Sequence, residues 1–477
     1  MWRACNAILY FVKYFPAVRR EHHSSIKNAT IAGGVLVLVV LLALVAGRRA
    51  LKQTLEQPEA PATLTTSPSS PLATAEAASE VPQGFIFGRV TTDDGAIYEG
   101  RLRFGGDEES FWGDYFNGFK AQNSWVAQAP LEQLTERRPL QIFGVKVFQW
   151  ESQVDLSRPF MARLGDIARI EANGRDLRVT LKSGTMFHLD RYAADDFADG
   201  VRVWDGKRGV VDFDEGQIRS IDFLHTSRPG PAPDRLHGTV RTRVGDFTGF
   251  IQWNRQKGVG SDELNGHTAD GELRLRFDTV RSIARNSSNS SQVTLLEGEE
   301  IALSGTPEVG PDNLGIYIDD RRYGRVLISW NAFERVDFSP GGSSPAYGDF
   351  PTGQPLTGDV TTRDGRRLSG RLVYDLDESE TTETLDAPLQ DVTYNIPFGM
   401  IASIVLPAPE QRGASRPKLS LHSGEVLELE LAGDLKPGTG LLIFVDGRKQ
   451  PEYVRWTEIK RIDFDRPSAM YPPLDRR

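Results

Sequence analysis

Over about the last 390 residues, apolar positions recur two apart with glycines between them, and one phrase is written three times. Its first part runs Gly88, Val90, Thr92, Gly95, Gly100, Leu102, Phe104. It returns as Gly238, Val240, Thr242, Gly245, Gly249, Ile251, Trp253 and again as Gly358, Val360, Thr362, Gly365, Gly370, Leu372, Tyr374. A period of two predicts strands with one buried face. Asp94-Gly95 and Asp364-Gly365 predict tight hairpin turns, because glycine accepts positive φ and aspartate tolerates it. The second copy keeps only the glycine of Val244-Gly245.

Each copy divides into two halves. The first closes on Leu164-x-x-Ile167-x-x-Ile170, Phe277-x-x-Val280-x-x-Ile283 or Phe398-x-x-Ile401-x-x-Ile404. That spacing of three predicts one 3₁₀ turn feeding a last strand. The second half opens Val179-x-Leu181, Gly184, Phe187-x-Leu189, with counterparts from Val293 and Leu419. It ends in Ile221-Asp222-Phe223, Val336-Asp337-Phe338 or Ile462-Asp463-Phe464.

The stretch from Val360 to Tyr374, with its strand, Asp-Gly turn, glycine and second bent strand, resembles the opening of an Sm-like or SH3-like small barrel. The resemblance covers one hairpin per module and implies a fold class without an activity. The expectation is an all-β chain of three tandem repeats, 84–223, 236–338 and 356–465, each made of two small SH3/Sm-like barrel-type modules. A module below ~60 residues has a small core, so the two halves of a copy are expected to pack on each other.

Ahead of the repeats, residues 29–47 are uncharged and rich in Val and Leu, between Lys27 and Arg48-Arg49. At about 1.5 Å per residue this run approaches the ~30 Å hydrocarbon core of a bilayer, which predicts one transmembrane α-helix. Val45-Ala46-Gly47 would suit a signal peptidase, but the preceding leader, 1–28, is too long and the apolar run exceeds the ~7–15 residues of a signal core. The run is therefore read as an uncleaved anchor. Basic residues Lys13, Arg19, Arg20 and Lys27 before it, against Arg48, Arg49 and Lys52 after it, put the leader in the cytosol and the C-terminal domains outside. Residues 48–82, rich in Pro, Thr, Ser, Ala and Glu, read as a disordered linker, and 466–477 as a tail.

Charge changes the picture of partners. Residues 1–52 carry +7 and 53–82 carry −4; with the whole chain at −9, this leaves −12 on residues 83–477. An acidic exported part repels phosphate backbones, so nucleic acid is not an expected partner. The single cysteine, Cys5, lies in the leader, so the repeats hold no disulfide.

No nucleophile elbow, P-loop, His-Glu-x-x-His or Cys-x-x-Cys occurs in the chain. The seven histidines share neither a metal-ligand spacing nor a repeat position. No catalytic, metal or cofactor residue is expected. Asp222, Asp337 and Asp463 recur as charges within an apolar signature; with Gly88, Gly238 and Gly358 they are read as structural. A short acid at a turn or strand end accepts backbone N–H groups and holds the closure.

One excess stands out. From Gly88 to Ile170 the first copy's opening half spans 83 residues, against 46 for Gly238–Ile283 and 47 for Gly358–Ile404. An insertion is therefore placed at 105–163, carrying Trp112, Tyr115, Phe116, Trp125 and Trp150. Two readings stand level: these aromatics form the main partner-contact surface, or they cover the first module and dock it on its neighbour. The function expected is a membrane-anchored, non-catalytic scaffold or adhesion protein of the cell envelope that binds protein partners. The alternative is envelope glycan binding by exposed aromatics of the insertion. A hydrolase would require two facing carboxylates in a cleft.

Overall fold

The alternating stretches are β-strands in the computed structural model of the protein. It describes residues 81–105, 108–120, 125, 128, 135–142, 145–153, 158–226, 228–408, 415–436 and 440–468. The leader, the apolar run 29–47 and nearly all of the linker lie outside the described residues. Among the described residues no helix is long and apolar enough to cross a membrane.

The first stretch contains β1 (Val81–Pro82), β2 (Phe87–Thr92), β3 (Ile97–Phe104), β4 (Tyr115–Lys120), β5 (Thr135–Ile142), β6 (Val145–Gln153), β7 (Arg158–Arg163), β8 (Ile167–Asn173), β9 (Asp176–Leu181), β10 (Met186–Asp190), β11 (Val201–Asp205), β12 (Gly209–Phe213) and β13 (Ile218–Phe223). After β14 (Pro229–Gly230) come β15 (His237–Thr242), β16 (Gly245–Gln252), β17 (Glu263–Thr268), β18 (Gly271–Arg276), β19 (Val280–Arg285), β20 (Ser290–Leu295), β21 (Glu300–Ser304), β22 (Ile316–Asp320), β23 (Gly324–Ile328) and β24 (Phe333–Phe338). The last stretch holds β25 (Thr357–Thr362), β26 (Arg367–Val373), β27 (Thr384–Leu389), β28 (Val392–Pro397), β29 (Ile401–Val405), β30 (Lys418–Leu421), β31 (Val426–Glu428), β32 (Gly440–Val445), β33 (Glu452–Arg455) and β34 (Ile459–Phe464).

Three large sheets result. The first runs β12-β11-β3-β2-β13-β8-β9-β10-β4-β7. The second runs β18-β17-β21-β20-β19-β24-β15-β16-β22-β23-β28-β27, and the third β31-β30-β29-β34-β25-β26-β32-β33. The strands of the second stretch follow the order of the first, read from the other end. The third stretch departs in one way: its β27–β28 hairpin leaves its own sheet and pairs with β23, Val326 facing Tyr394 and Ile328 facing Val392.

The two halves of a stretch do not form a sheet each, as two separate small barrels would require. The hairpin β2–β3, from the first half, lies between β13 and β11, from the second. The closing strand β8 of the first half pairs with the opening strand β9 of the second. Interleaving pools the apolar faces of two halves that are each too small for a core of their own. Val90, Leu102, Ile170, Val179, Leu189, Val203 and Ile221 are all fully buried in one cluster.

Glycine makes the crossing strands fit. A Cβ on Gly88, Gly238 or Gly358 would lie 2.5, 2.4 or 2.0 Å from the carbonyl oxygen of Asp222, Asp337 or Asp463. Opposite them in the hairpin ladders stand Gly100, Gly249 and Gly370, where a Cβ would lie 1.9, 1.9 and 2.1 Å from a backbone carbonyl oxygen of the next strand. The spacing of three is a 3₁₀ turn where the sequence predicts it: Leu164–Asp166 before β8, Phe277–Thr279 before β19, Phe398–Met400 before β29.

Within the expected 105–163 segment, the length that sets the first stretch apart falls between two paired strands. Strands β4 and β7 pair with each other as β17 pairs with β18 and β27 with β28. The surplus is therefore 121–157, which holds the β5–β6 hairpin. Trp112, Tyr115 and Phe116 precede it.

The described residues fall within one compact unit. The second and third sheets share a core cluster that runs through the β23–β28 joint. The first has its own, completed by Tyr347 and Phe350 from the segment between β24 and β25.

Candidate functional site

Three of the aromatics singled out in the sequence, Trp112, Tyr115 and Trp125, lie at the seams between the three stretches. At the first seam the Arg235 guanidinium lies between the rings of Trp112 and Phe250, 4.0 and 3.8 Å from their centroids. It also pairs with Asp319 at 3.2 Å. Burial pulls Arg235 down to about 10, against the opposing pull of Asp319. Arg325 stacks on Tyr317 at 3.9 Å and on Tyr115 at 4.6 Å, and donates to the Gln252 side chain. Cations clamped between aromatic faces in a desolvated seam contribute about 2 kcal/mol each.

The second seam joins the first stretch to the third. Lys120, at the end of β4, donates to Asp377 and lies 3.5 Å from Glu383. Burial pulls the Lys120 amine down, but Asp377, then Glu383 and Glu378, outweigh it and hold the amine above its ordinary value. Ser183 donates to Glu380 at 2.7 Å, and Arg158 lies 3.7 Å from Asp375. Trp125 meets the edge of Phe444 at 6.0 Å.

A strap between β24 and β25 crosses the first stretch. Tyr347 donates through its hydroxyl to the Ile167 carbonyl at 2.7 Å, while Lys182 lies 3.7 Å over its ring. Arg163 stacks on Phe350 at 4.4 Å and bonds Asp166 at 3.1 Å. Burial pushes Asp166 up to about 6, against the pull of Arg163 and Lys182. Burial also lowers Lys182 to about 8.

The predicted contact residues are thus divided. Trp112 and Phe116 are buried, and Tyr115 lies under Arg325. Trp125 is half-buried against the third stretch. Trp150 falls in β6, where side chains lie outside the described residues. For the first three, the docking reading is the one the geometry fits.

Asp222, Asp337 and Asp463 are not turn caps. They sit within ladders, Asp222 opposite both Arg89 and Arg169. Their carboxylates pair with arginines on the outer face: Arg169 for Asp222, Arg335 at 2.7 Å and Arg241 at 3.2 Å for Asp337, Arg461 at 2.5 Å for Asp463. It is their carbonyls that face Gly88, Gly238 and Gly358.

Sequence reading misses another acid that recurs. Asp114 accepts the N–H groups of Glu109 and Ser110 at 2.9 and 2.8 Å. Asp262 does so for Gly258 and Val259, and Glu383 for Ser379 and Glu380. The signal is an acid just before β4, β17 and β27. It is obscured because the first acid lies six residues after Glu108, which bridges to Phe104, while the others lie five after Lys257 and Glu378, which bridge to Trp253 and Tyr374, and because the third is Glu.

Two carboxylates lie near one another in the third stretch, joined through the backbone of one of them. Asp434 accepts the Asp386 N–H at 2.7 Å, and Asn395 donates to Asp386 at 2.6 Å. Burial pushes Asp386 up to about 6 and Asp434 further above its ordinary value. Asp386 lies within β27 and Asp434 beside it, both half-buried, and neither is in the first stretch's extra segment. Among the described residues no group of three or more His, Cys, Asp or Glu is placed to hold a metal ion. No protein-family model, curated protein or solved structure matches the chain.

Proposed function

We propose that this chain is a non-catalytic scaffold or adhesion protein of the cell envelope, held to the membrane by residues 29–47 and binding protein partners. The observation that carries the reading is how the distinctive side chains are used. Arg235, Arg325, Trp112 and Lys120 lock the β stretches to one another, as suits a rigid platform whose recognition is delegated to appended segments. The appended segment is 121–157, which has no counterpart in the other two stretches. We further infer that the three stretches are copies of one ten-stranded unit, each built from two interleaved five-stranded halves.

Protein contact stands ahead of glycan binding because two of the aromatics a sugar would stack on, Trp112 and Phe116, are buried. The test replaces 121–157 in the full chain by the two-residue turn that joins β17 to β18, Ala269-Asp270. The expected outcome is a thermal midpoint lowered only by the loss of the Trp125–Phe444 contact, a few degrees, with the fold retained, and at least a tenfold loss of partner crosslinking in intact cells. Undiminished crosslinking would remove the hairpin from the contact surface, and retention on cell-wall polysaccharide would favour the glycan reading. Full-length protein in the supernatant of a carbonate wash would remove the anchor.

A further inference from the structure

The three large sheets have six ends among the described residues, and five are blunted against edge-to-edge pairing in familiar ways. β7 carries Pro159 between Arg158 and Arg163. β27 carries Pro388 and is covered by Glu430 and Asp434. β18 alternates Glu272, Arg274 and Arg276 at exposed positions. β31 is three residues long and ends in Glu428, and β33 bears Glu452 and Arg455.

The sixth end, β12, is different. It reads Gly-Val-Val-Asp-Phe, with no proline and no cation. Val210 is 56% exposed, and the one charge, Asp212, is tied back to Arg202 of β11 at 2.6 Å.

Its counterpart in the second stretch shows what such an edge accepts. β12 pairs with β11 in the register that β23 keeps with β22, so Gly209–Phe213 matches Gly324–Ile328. Along β23 the antiparallel strand β28 is laid, Arg325 facing Asn395 and Ile328 facing Val392. In the first stretch the same row has no ladder partner among the described residues.

Register decides between the occupants that this chain itself offers. If β18 of another copy took the place of β28, the β23–β28 register would set Asp212 opposite Glu272, a destabilising like-charge pair. If β12 of a second copy took it, a two-fold axis through Val211 sets Val211 opposite Val211 and Val210 opposite Asp212. No like charges then face each other, and the contact closes as a symmetric pair.

We propose that β12 is a self-association edge through which two copies of the chain join antiparallel about Val211. Opposed residues in such a ladder have Cα atoms about 4.5–5.5 Å apart, within the ~4.4–6.8 Å that a disulfide spans.

The test uses the full chain in detergent with Cys5→Ser as background. Val211→Cys is expected to form an intermolecular disulfide under mild oxidation at low micromolar concentration. Met186→Cys, exposed on β10, is expected to form none. Val210→Lys, at an exposed position that leaves the fold intact, is expected to weaken self-association in sedimentation velocity by about tenfold or more with an unchanged thermal midpoint. The proposal is overturned if the folded parent stays monomeric at roughly 100 μM, where a ~5 kcal/mol association would already be visible. Equal crosslinking of Val211→Cys and Met186→Cys, or capture of a foreign strand by β12 of a monomeric parent, overturns it as well.

Discussion

At the scale of single residues, the repeated glycines and aspartates are two sides of one contact. Gly238 has no room for a methyl group, since a Cβ would sit 2.4 Å from the Asp337 carbonyl oxygen and 3.0 Å from the Phe338 Cα, both backbone atoms. Backbone in a ladder cannot yield without losing hydrogen bonds. Gly238→Ala is therefore expected to cost about 1–3 kcal/mol or more in urea unfolding. Gly216→Ala, where nothing lies within 4 Å, is expected to stay within about 0.5 kcal/mol of the parent. Asp386 makes the second prediction. Its carboxyl is raised by burial to about 6 in the folded chain, so its contribution is fully present below its unfolded value near 3.8 and is lost as pH rises through 6. Asp386→Asn should remove that decline: its stability relative to the parent should grow between pH 4 and 6, by up to about 3 kcal/mol, and stay level above. Equal urea midpoints for the two proteins from pH 4 to 7 would show that this buried carboxyl does not titrate in that window.

At the scale of elements, what the sequence makes legible is what is local. Asp94-Gly95 writes its own turn, and Leu164-x-x-Ile167 writes a 3₁₀ turn and the strand after it, because those geometries depend on residues a few positions apart. The sheet order is not legible: β2 pairs with β13 more than a hundred residues on, and β2–β3 has the same alternation whether its neighbours come from its own half or the other. The surplus hairpin is misplaced for a related reason. Asp114 follows Glu108 by six residues where Asp262 follows Lys257 by five, so Asp114 and Tyr115 look inserted although β4 pairs with β7 as β17 does with β18. The seam cations are illegible for a third reason, since nothing near Arg235 in the chain announces Trp112 or Asp319. The strap offers a prediction at this scale. Tyr347 Oη holds the Ile167 carbonyl just after a 3₁₀ turn, so Tyr347→Phe should cost about 1 kcal/mol. Tyr347→Ala, which also empties the space beside Phe111, should cost about 3–5 kcal/mol. Hydrogen exchange should show the loss concentrated in β8.

At the scale of the whole molecule, the question is what prevents three β stretches from behaving as beads. The second and third are joined by a shared sheet, but the first meets the third chiefly through side chains, and Lys120 is the centre of that meeting. Its side chain is 7% exposed, with Asp377 at 8% and Glu383 at 10%. Replacing one partner of such a group leaves the others buried without compensation, which typically costs about 3–5 kcal/mol. Lys120→Met should therefore lower the urea midpoint and release protection at the seam while the ladders inside each sheet persist. Burial already pushes Glu383 up, and without the amine it rises further. A carboxyl raised in the folded state favours folding at low pH, so the deficit of Lys120→Met should be largest near pH 7 and shrink toward pH 4. Adding Asp377→Asn and Glu383→Gln should recover at least half of the loss at pH 7 and abolish that slope. If Lys120→Met unfolds at the parental midpoint across this range, the charge cluster does not hold the first stretch to the third, and the seam rests on Trp125 and Phe444 instead.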